Sequence, residues 1–370
     1  MRNPLNPLAG RLDGLPDLQA SWQSWCLTFR RPARTSRGVM DHRPLWFLRV
    51  SQADDATLFG LGEVPPLAGL SVESPEQIPP QLDLFCQRLA SHGPREALDA
   101  LSLSSVRFGA EMALLDLLGG GERTLFPSAF TRGEQAITIN GLIWMGSVAT
   151  MLVAVEEKLG QGFRCIKLKI GAEDFDQECA MIQAIRQRFS KEEVEIRLDA
   201  NGAFAPDEAE EKLARLAPFG IHSIEQPLPP GHYPAMAHLC AASPIAIALD
   251  EELIGVDDQP RRLALLAQIK PHYLILKPAL IGGFSGAGGW MDLANRHGIG
   301  WWITSALESN VGLNALAQWS ATLQNPRPQG LGTGGLFVDN FPSPLVQQGE
   351  TLAVVPDRYW DLSALFAEGG

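Results

Sequence analysis

The segments CIKLKI (165–170), EIRLDAN (195–201), IHSIEQP (221–227) and IAIALDEE (245–252) decide the fold of this chain. Each is rich in apolar residues, as buried strands are, and each ends in or near charged or amide side chains. Their first residues lie 24 to 30 positions apart, which leaves room for one strand, one helix and the connecting loops. The spacing predicts consecutive βα units.

The same rhythm extends to both sides of these four segments. Further strand-like segments begin near residues 136 (AITINGLIW), 273 (YLILKPA), 300 (GWWITSALE) and 330 (GLGTGGLF), and helical segments span residues 147–160, 174–189 and 206–216. Eight strands that alternate with helices form either a closed parallel barrel or a doubly wound open sheet. No G-x-G-x-x-G motif follows a strand, and polar residues end many different strands, which favours an α/β barrel over residues 131–337.

Residues 1–130 have a different pattern. Strand-like segments at residues 24–30, 45–50 and 57–62 precede helix-like segments at 79–90 and 105–118, which is the order of an α+β domain. Residues 32–44, rich in arginine, are predicted to form a mobile loop between two strands. Residues 338–370 are too irregular for another βα unit, and we expect them to pack against the first domain.

The composition argues against several classes of protein. The 370 residues carry a formal net charge of −12, whereas proteins that bind nucleic acids or anionic membranes present clustered lysine and arginine. Five scattered cysteines without a C-x-x-C pair argue against a disulfide framework or a structural zinc site. Because no apolar stretch resembles a signal peptide or a membrane span, the sequence predicts a cytoplasmic protein.

Three acidic residues end neighbouring strands of the predicted barrel: Asp199, Glu225 and Asp250. A single acid at a strand end is usually a helix cap or a solvated loop residue. Three of them, 26 and 25 residues apart, meet at the carboxyl-terminal mouth of a barrel, where active sites are built. Because carboxylate oxygens suit hard cations, the pattern predicts a Mg²⁺ site.

Lys167, Lys169 and Lys277 lie on strands near these acids. The K-x-K pattern is usual for a solvated strand face, and a lysine at a strand end commonly extends to water. Both strands, however, are flanked by apolar residues and belong to a sheet that helices should cover. Two ammonium groups about 6–7 Å apart lower each other's pKa, as burial does, and a lysine needs that shift to act as a base.

These motifs together resemble those of the enolase superfamily, in the muconate-lactonizing-enzyme-like subgroup with K-x-K on the second barrel strand. The resemblance rests on Lys167-x-Lys169, Asp199-Ala200-Asn201, Glu225-Gln226-Pro227, Asp250-Glu251 and Lys277-Pro278, in that order. It implies a modified (β/α)7β barrel with an α+β capping domain built from the N-terminal part and the C-terminal tail. It also implies a small carboxylate substrate and a Mg²⁺ cofactor, for which Mn²⁺ can substitute.

The resemblance further implies a role for each lysine and a reaction. Lys169 would remove the proton alpha to the substrate carboxylate, Lys167 would tune Lys169, and Lys277 would stay cationic and stabilise the intermediate. Residues 62–71, 304–313 and 330–337 resemble segments of enzymes for the syn-dehydration of 2-succinyl-6-hydroxy-2,4-cyclohexadiene-1-carboxylate through an enediolate, in menaquinone biosynthesis. N-succinylamino acid racemisation and cycloisomerisation are alternatives. Dipeptide epimerases are expected to carry an acidic D-x-D motif near strand eight, which holds the ammonium group of the substrate. Here no acid follows Gly332 until Asp339, which disfavours dipeptide epimerisation.

Six residues at the strand ends are predicted to contact the substrate: Arg197, Asn201, Ser305, Ser309, Gly332 and Thr333. For Arg197, which shares a strand face with Asp199, an internal ion pair is an equal alternative. The serines are alternatively helix caps, and Gly332 with its neighbours is alternatively a tight turn. Two further alternatives fit the sequence less well. In a metal-free Schiff-base lyase that uses Lys277, the three convergent acids would have no role. In a catalytically silent barrel that only binds a ligand, neither the acids nor the lysines would be needed for catalysis.

Overall fold

The computed structural model describes residues 3–35, 38–171 and 174–366. Its first part is a three-stranded antiparallel sheet of β1 (Leu18–Thr35), β2 (Gly38–Gln52) and β3 (Phe59–Val64), in the order β1-β2-β3. Three helices follow: α1 (Ile78–His92), α2 (Pro94–Asp99) and α3 (Ser104–Leu118). The prediction of strands followed by helices, in an α+β arrangement, is confirmed.

The strands are longer than predicted, and the prediction of a mobile loop over residues 32–44 is wrong. β1 continues to Thr35 and β2 begins at Gly38, with Ala33 paired to Met40. Arg43, which belongs to this segment, is buried, and its guanidinium donates a hydrogen bond to the backbone carbonyl of Pro44, so its charge does not prevent strand pairing. Ser36 and Arg37 lie outside the described residues.

β3 packs very closely on α3, because small residues meet in the contact. A Cβ atom on Gly62 would lie 1.9 Å from the carbonyl oxygen of Gly109, and one on Gly60 would lie 1.9 Å from that of Ala113. No side chain fits at such distances in a close-packed interior. This contact holds the sheet on the helix and fixes the position of Glu63, the next residue of β3.

Beyond these helices, a parallel sheet of seven short strands curls into a barrel. After β4 (Ile137–Thr138) the strands are β5 (Gly141–Ile143), β6 (Cys165–Lys169), β7 (Glu195–Asp199), β8 (Ser223–Glu225), β9 (Ala246–Leu249), β10 (Tyr273–Leu276) and β11 (Gly300–Ile303), in the order β11-β10-β9-β8-β7-β6-β5. The helices between and after them are α4 (Val148–Gly160), α5 (Phe175–Arg188), α6 (Ala209–Leu216), α7 (Tyr233–Ala242), α8 (Gln259–Ile269), α9 (Gly283–His297) and α10 (Asn310–Thr322). The predicted βα alternation is confirmed, and Ser147 and Asp174 cap α4 and α5 as N-cap residues do.

Two of the predicted barrel strands have a different form. Residues 136–144 make two strands, because β4 pairs outside the barrel whereas β5 pairs with β6. Residues 330–337, all of them described, form no ladder. The barrel closes here through isolated bridges from Gln329 to Ile139 and from Gly330 to Thr304. Four glycines in this segment weaken a strand, and Gly334–Leu336 turn in a short 3-10 helix instead.

The C-terminal segment adds β12 (Leu345–Gln348), β13 (Thr351–Val354) and α11 (Ser363–Phe366), and its sheet has the order β12-β13-β4. This segment contacts the first sheet. Asp339 accepts a hydrogen bond from the backbone N–H of Thr28 at 2.8 Å, and the ring of Phe341 lies edge-on to that of Phe47. These contacts support a return of the C-terminal segment to the first domain, while the domain bounds 1–130, 131–337 and 338–370 stay predictions. In the part of the chain that is described, no helix combines membrane-spanning length with apolar character.

The contact between β3 and α3 leads to a prediction about stability. Gly62→Ala forces a methyl group into the backbone of α3, and we expect it to lower the free energy of unfolding by about 3 kcal/mol, as overpacking does. Gly146→Ala is the matched control, because a Cβ atom there would lie 3.7 Å from Thr150, which is an ordinary contact. Urea unfolding of both variants measures the difference, and an equal loss in the two would contradict the described packing.

Candidate active site

The carboxyl-terminal ends of the barrel strands open into a cavity of about 380 Å³ between the barrel and the first domain. The barrel contributes Lys167, Lys169 and Lys277 together with Ser305 and Thr333. Much of the remaining wall is apolar and comes from both parts of the chain: Val39, Met40, Leu67, Leu70, Leu142, Trp144 and Leu307. A largely apolar cavity with a few convergent charged groups is the usual form of a small-molecule site.

The lysines of β6 pair with two of the predicted metal-binding acids. Lys167 Nζ lies 2.5 Å from Glu225 Oε2 and 2.8 Å from Asp199 Oδ2. Lys169 Nζ lies 2.8 Å from the same Asp199 oxygen. The side chains meet because the strands run in register, with Lys169 opposite Asp199 and Asp199 opposite Glu225. The strand ends thus gather opposite charges at one level of the barrel.

The three lysines differ in how their surroundings shift the pKa. Burial opposes the charge of Lys277, but its partner Asp250 and the nearby Glu225 and Glu251 together outweigh burial and raise the pKa of this lysine. For Lys167, too, burial is outweighed by the neighbouring acids, which raise its pKa. Burial lowers the pKa of Lys169, and the charge of Lys167 adds to this effect against the opposing influence of Asp199. Lys169 is therefore the lysine that loses its proton most easily.

The three acids have a chemistry that fits a divalent cation. Burial raises the pKa of Glu225 well above its ordinary range, and the charges of Asp199 and Asp250 add to the shift. The Glu225 Oε1 atom is buried without a hydrogen-bond partner. A bound cation would pair with this oxygen and relieve the repulsion among the acids, so the donor set fits Mg²⁺. Within the described ranges, no three acidic, histidine or cysteine side chains are spaced to coordinate an ion as they stand, and lysines contact the acids instead.

Two residues with left-handed backbones hold this charged network in shape. Asn201 (φ 46°) accepts a hydrogen bond from Lys169 Nζ at 2.7 Å and donates one to Glu251 at 3.0 Å. The side chain of Gln226 (φ 40°) accepts one from the backbone N–H of Asp250 at 3.2 Å. Such backbones cost about 1–3 kcal/mol and are concentrated at functional sites. Asn201, which was predicted to contact the substrate, thus connects Lys169 to Glu251.

Three of the predicted substrate contacts line the cavity, namely Ser305, Gly332 and Thr333. Ser305 Oγ donates to Glu308 at 2.5 Å and accepts from Thr333 Oγ1 at 2.9 Å. Glu308 is completely buried and also accepts from the backbone N–H of Ala306 at 2.9 Å. The hydroxyl groups are therefore held in place by a buried carboxylate, and their contact with a substrate stays a prediction.

Arg197 is absent from the described residues that line the cavity. Its guanidinium donates to Glu195 at 2.6 Å and to the carbonyl of Pro328 at 2.9 Å, and it lies 4.1 Å from the centre of the Trp302 ring. Arg197 precedes Asp199 by two residues on β7, so it lies deeper in the barrel than the acids do. The structure thus shows the internal ion pair that was the alternative for this residue.

Ser309 is likewise outside the described lining of the cavity. Its Oγ accepts a hydrogen bond from the backbone N–H of Val311 at 3.1 Å, which caps α10, and donates to Glu63 of β3. The structure therefore shows the helix cap, which was the alternative to a substrate contact for Ser309.

The first domain lines part of the cavity, although none of its residues was predicted as a substrate contact and residues 67–70 entered only through the family resemblance. Val39 and Met40 of β2 and residues 67–70 carry no charged motif, and only long-range packing brings them to the barrel mouth. Asn140 was also missed, although its Oδ1 is buried in the cavity wall without a partner. The one signal for Asn140 was a polar residue inside the apolar segment ITINGLIW.

Comparisons with known proteins agree with this fold and this set of charged residues. Residues 150–358 match the family of enolase C-terminal domain-like proteins. The chain belongs to this family, and the predicted membership of the enolase superfamily is confirmed.

Among individual proteins, the chain is similar to o-succinylbenzoate synthase of Desulfotalea psychrophila (strain LSv54 / DSM 12343), with 48% identity over 91% of this chain and 99% of that protein. The crystal structure of MenC from Desulfotalea psychrophila LSv54 matches with a TM-score of 0.82 and 45% identity, over 91% of this chain and 100% of that one. An N-succinylamino acid racemase of Amycolatopsis sp is 32% identical over 45% of this chain and 44% of that protein.

Glu63, which receives the hydrogen bond from Ser309, leads to a prediction about pH. Burial raises its pKa from 4.5 to about 7. The carboxyl group of Glu63 therefore holds its proton more tightly in the folded protein than in the unfolded chain. The resulting stabilisation is complete below pH 4.5 and is lost as the pH rises to about 7.

The measured quantity is the free energy of unfolding of the wild type minus that of Glu63→Gln. We expect this difference to fall by about 2.5 kcal/mol between pH 5 and pH 8. Urea unfolding at the two pH values measures this difference. The exposed residue Glu192 provides the control, because Glu192→Gln should show no such trend. A difference between wild type and Glu63→Gln that does not change with pH would contradict the shifted pKa.

Proposed function

We propose that this protein is an o-succinylbenzoate synthase, a lyase that converts 2-succinyl-6-hydroxy-2,4-cyclohexadiene-1-carboxylate to 2-succinylbenzoate by syn-dehydration in menaquinone biosynthesis. The observation that carries the proposal is the placement of three lysines, paired with three acids, in one cavity with apolar walls. The substrate needs apolar contacts for its ring and methylene groups and cations for its two carboxylates. The similarity to the Desulfotalea enzyme over 91% of this chain supports the same conclusion.

We assign proton transfer to Lys169. Its amine must be neutral to accept the proton alpha to the carboxylate, and burial together with the charge of Lys167 lowers its pKa toward that state. As the carbon–hydrogen bond breaks, its electron pair moves toward the carboxylate. The protonated Lys169 then gives the proton to the leaving hydroxyl on the same face, so that water departs and the ring becomes aromatic. Asn201, 2.7 Å from Lys169 Nζ, orients the amine.

Lys277 and Lys167 are assigned electrostatic roles, because the neighbouring acids raise the pKa of both and keep them charged. β10, which precedes Lys277, lies four strands from β6 in the barrel. A substrate bound in the cavity therefore has Lys277 on one side and Lys169 on the other. Fixed positive charge at that position stabilises the negative charge that develops during the reaction. Lys167 keeps the pKa of Lys169 low.

Asp199, Glu225 and Asp250 are the residues that would hold Mg²⁺. When bound, the ion would supply positive charge next to the negative charge that develops on the substrate carboxylate. The buried, unpartnered Oε1 of Glu225 supports this assignment. Mn²⁺ prefers similar oxygen ligands and is proposed as a substitute. With Lys169 neutral as the base, two charged lysines and three ionised acids carry one net negative charge, so a divalent ion would leave the site with one positive charge toward the anionic substrate.

Racemisation of N-succinylamino acids is a second candidate function. Lysines on two sides of one alpha carbon serve racemisation equally well, and a racemase of this specificity is similar to part of the chain. Dipeptide epimerisation fits less well. None of the described residues that line the cavity is Asp or Glu, so the lining offers no carboxylate for a substrate ammonium group. Asp339 accepts its hydrogen bond from Thr28 instead.

We also propose a cytoplasmic location and neither a nucleic acid nor a membrane as partner. The net charge of −12 supports the second point, because it disfavours binding to polyanions. All five cysteines are free thiols, which is usual in a reducing compartment.

The proposed reaction is tested by offering the purified protein with Mg²⁺ the cyclohexadiene substrate and an N-succinylamino acid in parallel. We expect dehydration to 2-succinylbenzoate, and we expect Lys169→Ala to lower kcat by about 10³-fold, since it removes the base. Lys191→Ala changes an exposed lysine and should keep full activity. A good rate of racemisation without dehydration would overturn the main proposal in favour of the second.

The metal site can be tested without turnover. At a Mg²⁺ concentration of 100 times its Kd, the free energy of unfolding should rise by about 2.7 kcal/mol, because the ion binds only the folded protein. Glu225→Gln should abolish this stabilisation, and the exposed variant Glu192→Gln should retain it. Thermal unfolding with and without Mg²⁺ provides the measurement. An undiminished shift in Glu225→Gln is the result that rejects this residue as a ligand.

A further inference from the structure

Arg43 of β2 is a fully buried arginine where the first sheet meets the barrel. All five N–H groups of its guanidinium donate to backbone carbonyl oxygens. Two of these carbonyls belong to the barrel, since Nε donates to Leu307 and Nη2 to Ala306, each at 3.1 Å. Three belong to the first domain: Nη2 donates to Pro65 at 2.8 Å, and Nη1 donates to Pro44 at 3.0 Å and to Pro66.

These carbonyls adjoin the apolar wall of the substrate cavity. Leu307 itself lines the cavity, and Pro65 and Pro66 lead directly into the lining residues 67–70. Arg43 is also three residues from Met40, another lining residue, on the same strand. Three wall segments from distant parts of the sequence therefore meet at one side chain.

The backbone of Leu307 shows why this segment needs to be held. Its φ of 65° is left-handed, which costs a leucine about 1–2 kcal/mol. Arg43 Nε binds the carbonyl of this residue, and the Leu307 side chain is 7% exposed in the cavity wall. Without the hydrogen bonds from Arg43, relaxation to an ordinary backbone would turn the Leu307 side chain out of its place.

We propose that Arg43 is a positioning residue, which sets the apolar wall of the cavity against the substrate and thereby determines how tightly the substrate binds. Among the described contacts of Arg43 there is none with Lys167, Lys169 or Lys277, and Arg43 does not line the cavity. Its removal should therefore affect binding and leave the proton transfer intact. The inference rests on the proposed function for the identity of the substrate.

Arg43→Lys is the direct test, because lysine keeps the charge but has three donors at one point in place of five in a plane. We expect KM for the cyclohexadiene substrate to rise about tenfold, while kcat stays within about twofold and its pH profile is unchanged. The matched control is Arg186 of α5, which donates to the carbonyls of Phe219, Ser190, Val194 and Gly220, all outside the described lining of the cavity. Arg186→Lys should lower the Tm and leave KM unchanged.

An unchanged KM in Arg43→Lys overturns the proposal, and so does an equal rise of KM in Arg186→Lys. If Arg43→Lys does not fold, Leu307→Gly decides, because glycine adopts a φ of 65° without strain and the variant removes the side chain that Arg43 positions. A comparable rise of KM then supports the proposal, and an unchanged KM overturns it. Failure of the proposed function is detected separately, because the wild type would then not dehydrate the cyclohexadiene substrate. In that case the KM of each variant is compared with that of the wild type for an N-succinylamino acid.

Discussion

The buried pairing of three lysines with three carboxylates is the constraint on which the rest of the structure depends. Lys167, Lys169 and Lys277 are each at most 8% exposed. An unpaired charge at such a depth costs several kcal/mol, so each lysine requires its acid and each acid its lysine. Parallel strands in register supply the partners at one level, and the surrounding helices keep water from the outer face of the sheet. The same pairing separates the pKa of Lys169 from those of the other two lysines, and the proposed chemistry follows from that separation.

The first domain is anchored on the helices that follow cavity-lining segments of the barrel. Glu63 of β3 accepts from backbone N–H groups at the start of α10, and Glu111 of α3 accepts from that of Ser285 at the start of α9. Helix amino termini present free N–H groups and partial positive charge, which suit carboxylates. α9 and α10 follow the strands that lead to Lys277 and Ser305. The two glutamates and Arg43 therefore link the first domain, which supplies part of the apolar wall, to the barrel, which carries the charged residues. These contacts fix the position of the apolar wall relative to the lysines.

The features that could be predicted from sequence are those set by local pattern. Strand ends carry the lysines and acids at regular spacing, and strand alternation places Lys167 and Lys169 on one face, so the barrel and its charged mouth follow from the sequence. Whether Arg197 contacts the substrate or forms an internal ion pair could not be predicted. Arg197 and Asp199 share one face of β7, and alternation along the strand does not show which of them reaches the cavity. Arg43 lies in an arginine-rich segment with no other signal, and its role arises from carbonyls more than 260 residues away in the chain. Contacts of that range are set by tertiary packing, which periodicity does not encode.

We propose that Asp199, Glu225 and Asp250 exchange lysine partners for a metal ion while Lys169 and Lys277 flank the substrate. A crystal structure of the protein with Mg²⁺ and 2-succinylbenzoate measures this most directly. We predict one ion at about 2.1 Å from an oxygen of each acid, with the two lysines on opposite faces of the bound ring. An ion bound away from the three acids, or both lysines on the same face of the ring, would contradict the claim.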